Sequence, residues 1–120
     1  MNDLDNEHGR MVKALAKPGK DILKELSPGK MHCLHMAVGI AGEAGELLDA
    51  VKKHVIYNKP LDMENVMEEL GDIEFYMRGL RELIGMSRDE TLNHNLNKLQ
   101  KRYAEGKYSN KQAQDRADKK

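Results

Sequence analysis

The sequence predicts an all-α fold, in which a helical hairpin forms a four-helix-bundle-like core completed by self-association. Three observations carry this. Apolar residues recur at three- and four-residue steps over two long stretches. Proline and glycine clusters break the chain between those stretches. No segment alternates with the period of two that a strand requires. With one Phe and no Trp among 120 residues, the core must come from Leu, Ile, Val, Met and Ala, a set that suits packed helices better than a sheet.

The elements follow in order. Residues 4–16 read as a short helix, ended by Lys17-Pro18-Gly19. Asp21 to Leu26 can add a turn or two before Ser27-Pro28-Gly29. The first long helix spans about Lys30 to Tyr57, with Leu34, Val38, Ala41, Gly45, Leu48, Val51 and Val55 on one stripe. Asn58-Lys59-Pro60 stops it, because Pro60 lacks a donor and disfavours a helical residue before it. The second long helix starts from an N-cap at Asp62 and runs to Ile84, with Val66, Leu70, Ile73, Met77, Leu80 and Ile84 on its stripe and Gly85 as its stop. Ser87 and Glu90 form a capping-box pair for a third helix, from Arg88 to about Tyr103. The polar tail, 107–120, is expected to be extended, marginally helical or disordered without a partner.

The whole chain, 1–120, is expected to be a single domain: short helices over 1–29, a catalytic helical core over 30–106, and the tail. A core this modest points to a homodimer or homotetramer. Twenty basic residues cancel twenty acidic ones, which argues against a non-specific nucleic-acid binder. The charge is nonetheless segregated. Twelve acids and six bases lie between Ala41 and Glu90, whereas eight bases and three acids lie between Lys98 and Lys120. One cysteine, Cys33, supports neither an intrachain disulfide nor a Cys-based zinc site, and reads as a small buried residue. No stretch is apolar enough for a signal core or a membrane span, so a cytoplasmic protein is expected.

Four carboxylates carry the candidate chemistry. Glu43 and Glu46 are three residues apart on the first long helix, and Glu69 and Asp72 are three apart on the second. Each pair sits beside the apolar stripe, and an antiparallel hairpin brings the pairs to comparable depth. Either pair alone also fits an ordinary solvated helix face. Converging, they repel by on the order of 1 kcal/mol per pair even in water, so the cluster needs a cation or raised pKa values. All-oxygen ligands suit Mg²⁺ first and Mn²⁺ next. Gly39, Gly42 and Gly45 interrupt the same helix, each at a cost of about 0.5–1 kcal/mol relative to Ala. Their clustering implies the close approach of a partner helix or a ligand.

Gly42-Glu43-Ala44-Gly45-Glu46-Leu47, followed by Glu68-Glu69-Leu70-Gly71-Asp72 on the next helix, resembles the MazG-like family of all-α nucleoside triphosphate pyrophosphohydrolases, compact bacterial and bacteriophage members above all. Asn97-Lys98 and Arg102-Tyr103 resemble that family's Lys-x-x-x-Arg stretch. The resemblance covers roughly residues 30–110. It implies attack of water on the α-phosphorus of an NTP or dNTP, releasing the monophosphate and pyrophosphate. It further implies that Glu43, Glu46, Glu69 and Asp72 serve as Mg²⁺ ligands or water-orienting bases, with Glu43 and Glu46 as the catalytic residues. Lys98 and Arg102 would hold phosphates. In-line positioning and charge neutralisation are what such a transfer needs. Gly42 stands where many relatives carry a further acid, which leaves the water-activating task to Glu43 or Glu46.

Other residues have two readings each. His35 shares the helix face of Glu43 and can touch a base or phosphate, or sit half-buried and satisfied. Asn93 and Asn97 can bond sugar or phosphate, or be solvated. Tyr103 can stack on a base or pack the helix end. Glu68, Glu74 and Glu82 read as solvated charges, and the methionines as core. His32 and His35 lack a third zinc ligand, and neither acidic motif is the Glu-x-x-His of di-iron bundles. Two rival functions fit the same pattern: a dimeric dUTPase-like activity, and a non-catalytic helical module whose hairpin docks a partner.

Overall fold

Four of the six helices observed begin on a capping side chain that the sequence carries, Ser27, Asp62, Ser87 or Ser109. In the computed structural model, which describes residues 3–119, the six are α1 (Asp3–Leu15), α2 (Gly19–Glu25), α3 (Pro28–Ile56), α4 (Met63–Ile84), α5 (Arg88–Arg102) and α6 (Asn110–Asp115), followed by a 3-10 turn at Ala117–Lys119. No strand is present among the described residues. The architecture is all-helical, as expected.

α3 begins two residues earlier than the periodicity placed it. Ser27 Oγ accepts from the Lys30 N–H at 3.1 Å, and Pro28 takes the first helical position, where its missing donor costs nothing. Asn58, at φ 53°, turns the chain out of α3, and His54 Nδ1 lies 2.6 Å from the Lys59 carbonyl. Asp62 caps α4 by accepting from the Asn65 N–H at 3.1 Å. Gly85, at φ 70°, closes α4, with the Met86 N–H on the Arg81 carbonyl at 2.9 Å, a Schellman-type ending. The capping box of α5 is complete: Ser87 Oγ accepts from the Glu90 N–H at 3.1 Å, and Glu90 Oε2 accepts from the Ser87 N–H at 3.0 Å. The tail is partly ordered, because Ser109 Oγ caps α6 by accepting from the Gln112 N–H at 3.1 Å.

Residues 1–31 and 32–120 form two separate units. In the first, Lys17 pairs with Glu25 across the α1–α2 break. In the second, α3 and α4 face each other through Met36, Gly39 and Glu43 on one side and Gly79, Tyr76 and Glu69 on the other. Phe75 meets the Tyr76 ring edge-on at 5.1 Å.

The inward face of α3 is not the one the periodicity marked. Cys33, Met36, Gly39, Ile40, Glu43, Leu47 and Ala50 are its buried or half-buried residues. Leu34, Val38, Leu48, Val51 and Val55 are exposed, as are Ala41 and Gly45. The cause is that α3 is apolar on two sides, so a three-four pattern can be drawn along either. The α4 stripe fares better: Val66, Ile73, Met77 and Leu80 are half-buried, while Leu70 and Ile84 are exposed. Met36 and Ala50 are the only residues classed as buried among those described. Met11, Met31, Met63, Met67 and Met86 are exposed, whereas Met36 is buried and Met77 half-buried, so only part of the methionine set is core; Cys33 is half-buried.

Candidate functional site

The α3–α4 face brings carboxylates from both helices together. Oxygens of Glu43, Glu69 and Asp72 all lie within 4.8 Å of one another. Glu43 and Glu69 are half-buried, and Asp72 is exposed. Helical spacing aims Glu69 and Asp72 at the same neighbour, and Gly39 permits the approach one turn away. Its Cβ would fall inside the Tyr76 ring, so glycine there lets Tyr76 seat against α3 beside the acids. Gly42 and Gly45 have open space where a Cβ would stand.

Glu69 is the strained member. Its Oε2 is buried without a hydrogen-bond partner. A bond between Glu69 and Glu43 exists only when one of them carries a proton, since two carboxylates have no donor between them. That shared proton is the first cause that pushes Glu69 from 4.5 up to about 7; burial comes next, then the charges of Glu43, Asp72 and Glu46. Glu46 thus acts on the cluster through its charge, while standing outside the three-oxygen group and exposed.

The donor set fits a small hard cation. Three carboxylates from two rigid helices, one with an unpaired buried oxygen, are all-oxygen ligands of the kind Mg²⁺ takes. Their oxygens, all within 4.8 Å of one another, are close enough for one ion to gather all three by side-chain rotation. The remaining positions would fall to water or to ligand oxygens.

The basic residues lie on α5. Lys98 is half-buried, and with His94, Asn97, Lys101, Asp118 and Lys119 it lines a cavity of about 340 Å³. Arg102 is already engaged: Nε donates to Asp118 Oδ1 at 2.9 Å, and Nη2 to Oδ2 at 3.4 Å. This contact raises the Arg102 pKa and lowers that of Asp118. Tyr103 packs on Tyr108 with centroids 5.8 Å apart. His35 lies 6.2 Å from the Tyr76 ring. Asn93 is exposed on α5. These cations are not part of the carboxylate cluster. Sequence reasoning had no role for Asp118, His94 or Lys101; the only trace of Asp118 is an acid among tail bases. Glu82, read as solvated, pairs with Arg78 at 2.9 Å one turn away.

Acids from two facing helices of an all-helical chain thus gather into one all-oxygen cluster, a donor set of the kind a divalent metal takes. The family model for the MazG nucleotide pyrophosphohydrolase domain matches residues 33–106. This stretch is more than half the chain and includes all four acids, Lys98 and Arg102, and the chain belongs to that family. Neither a search of curated proteins nor one of solved structures finds a match. The family gives the chain a nucleotide pyrophosphohydrolase domain, and the acidic cluster agrees with the divalent metals that such domains use. No described helix is long and apolar enough to cross a membrane.

Proposed function

We propose that this chain is a Mg²⁺-dependent nucleoside triphosphate pyrophosphohydrolase, with Mn²⁺ able to substitute, acting on an NTP or dNTP. The observation that carries the reading is the Glu43–Glu69–Asp72 cluster with its unpaired Glu69 oxygen, in a chain of this family. Glu43, Glu69 and Asp72 hold the ion, and Glu46, one turn from Glu43, orients the attacking water and accepts its proton. Bound there, the ion supplies charge neutralisation at the phosphates. The water oxygen bonds to the α-phosphorus, the bond from that phosphorus to the α–β bridging oxygen breaks, and pyrophosphate leaves with the bridging oxygen. Lys98, Arg102 and Asn97 take the phosphates. His35, Asn93 and Tyr103 face the nucleoside.

The exposed stripe of α3 supports self-association as a dimer or tetramer. Leu34, Val38, Leu48, Val51 and Val55 form one apolar line, and a second hairpin laid along it completes a four-helix bundle. The site then lies near a subunit interface, in a cytoplasmic enzyme. The test is a panel of ribo- and deoxyribonucleotides with Mg²⁺, assayed for pyrophosphate and orthophosphate. Pyrophosphate from at least one nucleotide is expected. None from any would remove the enzyme reading, and primary orthophosphate would move the cleavage point.

A further inference from the structure

Arg102 offers a planar fork of donors, and Asp118 fills it with both carboxylate oxygens. The pair is sheltered: the Asp118 side chain is 4% exposed and that of Arg102 17%. Lys98 also acts on Asp118 through its charge and lines the same cavity. The two cations placed above on substrate phosphates therefore both face a carboxylate from the chain's own tail. Local backbone geometry delivers it. Arg116, at φ 53°, turns the chain out of α6, and the Lys119 N–H closes the 3-10 turn on the Arg116 carbonyl at 2.8 Å. That turn lays Asp118 back on α5.

We propose that the Ala117–Lys119 turn is an autoinhibitory strap, with the Asp118 carboxylate occupying the place of a phosphate group at Arg102 and Lys98. This rests on the assignment of those cations to phosphate made under Proposed function. One fork cannot hold a carboxylate and a phosphate with the same donors, so a polyphosphate binds Arg102 only when the turn lifts. Its apparent affinity is then the intrinsic one multiplied by the fraction of molecules with the turn released. A few residues and one ion pair hold the turn, which makes release a local event that leaves α5 in place.

The test is calorimetric titration of inorganic tripolyphosphate, without metal, into the full chain and into Asp118→Asn. The variant is expected to bind roughly three- to tenfold more tightly, as for a strap closed in two-thirds to nine-tenths of molecules. The gain should vanish when Arg102→Gln is added to Asp118→Asn. Unchanged or weaker binding in Asp118→Asn, with helicity intact by circular dichroism, would overturn the strap and make the pair a structural anchor. A gain that survives Arg102→Gln would also overturn it, because loss of a nearby negative charge would then suffice. Binding needs no turnover, so a protein that hydrolyses no nucleotide yet shows the Arg102-dependent gain loses the enzyme reading and keeps the strap.

Discussion

Tyr76 lays its ring against the backbone of Gly39, in the space a Cβ at that position would take. This contact seats α4 on α3 beside the acidic cluster, and the neighbouring glycines have no counterpart to it. Gly39→Ala must push an aromatic ring away, so it should lower stability by about 1–3 kcal/mol despite its better helix propensity. Gly42→Ala meets nothing and should raise stability by about 0.5–1 kcal/mol. Thermal melts of the two variants check both signs.

Glu69 gives the protein a pH signature. Its pKa rises from 4.5 in the unfolded chain to about 7 in the fold, so the folded state keeps a proton that the unfolded state releases. The stability tied to that proton is complete below pH 4.5 and is lost as pH rises to about 7. In a chelator, the melting temperature should therefore fall over this window, and Glu69→Gln should flatten that part of the profile. An identical profile in the variant would show that Glu69 is not the titrating group.

Metal binding should run the opposite way, because the ion and the proton compete for Glu69. Mg²⁺ affinity is expected to weaken by about tenfold per pH unit below 7 for one displaced proton. Glu43→Gln and Asp72→Asn should each weaken Mn²⁺ binding, measured by electron paramagnetic resonance.

Glu46 is exposed and belongs to no ion pair among the described residues. Glu46→Gln should lower turnover by roughly 10²–10⁴-fold, the usual worth of a general base, and leave the melting temperature unchanged. Unchanged turnover would take Glu46 out of the site.

Self-association should depend on the exposed stripe. A paired Val38→Glu and Leu48→Glu variant puts charges on it, and sedimentation should then report a monomer with reduced helicity, since folding and assembly are linked when so little is buried within one chain. A wild-type mass in the variant would place the interface elsewhere.

Much of this was legible in the chain because it is local. The caps at Asp62 and Ser87 and the stop at Gly85 depend on residues within a turn, and the structure has each of them. Glu43, Glu69 and Asp72 meet as helical spacing suggested, whereas Glu46, three residues from Glu43, stands exposed outside their cluster. What the chain hid was non-local. The choice between two apolar faces of α3 is made by its partner helix, so Leu34 and Val38 proved exposed while Met36 and Ile40 turned inward. The Asp118–Arg102 pair spans sixteen positions and depends on the backbone reversal at Arg116. No periodicity announces such a turn.

The most direct test of the central claim is hydrolysis in ¹⁸O-labelled water with Mg²⁺, comparing wild type with Glu69→Gln and following the label by mass spectrometry. The wild type should place the label in the nucleoside monophosphate and release unlabelled pyrophosphate, and Glu69→Gln should do neither at a measurable rate. Label in the pyrophosphate, or undiminished turnover by Glu69→Gln, would contradict attack at the α-phosphorus by a centre built on these acids.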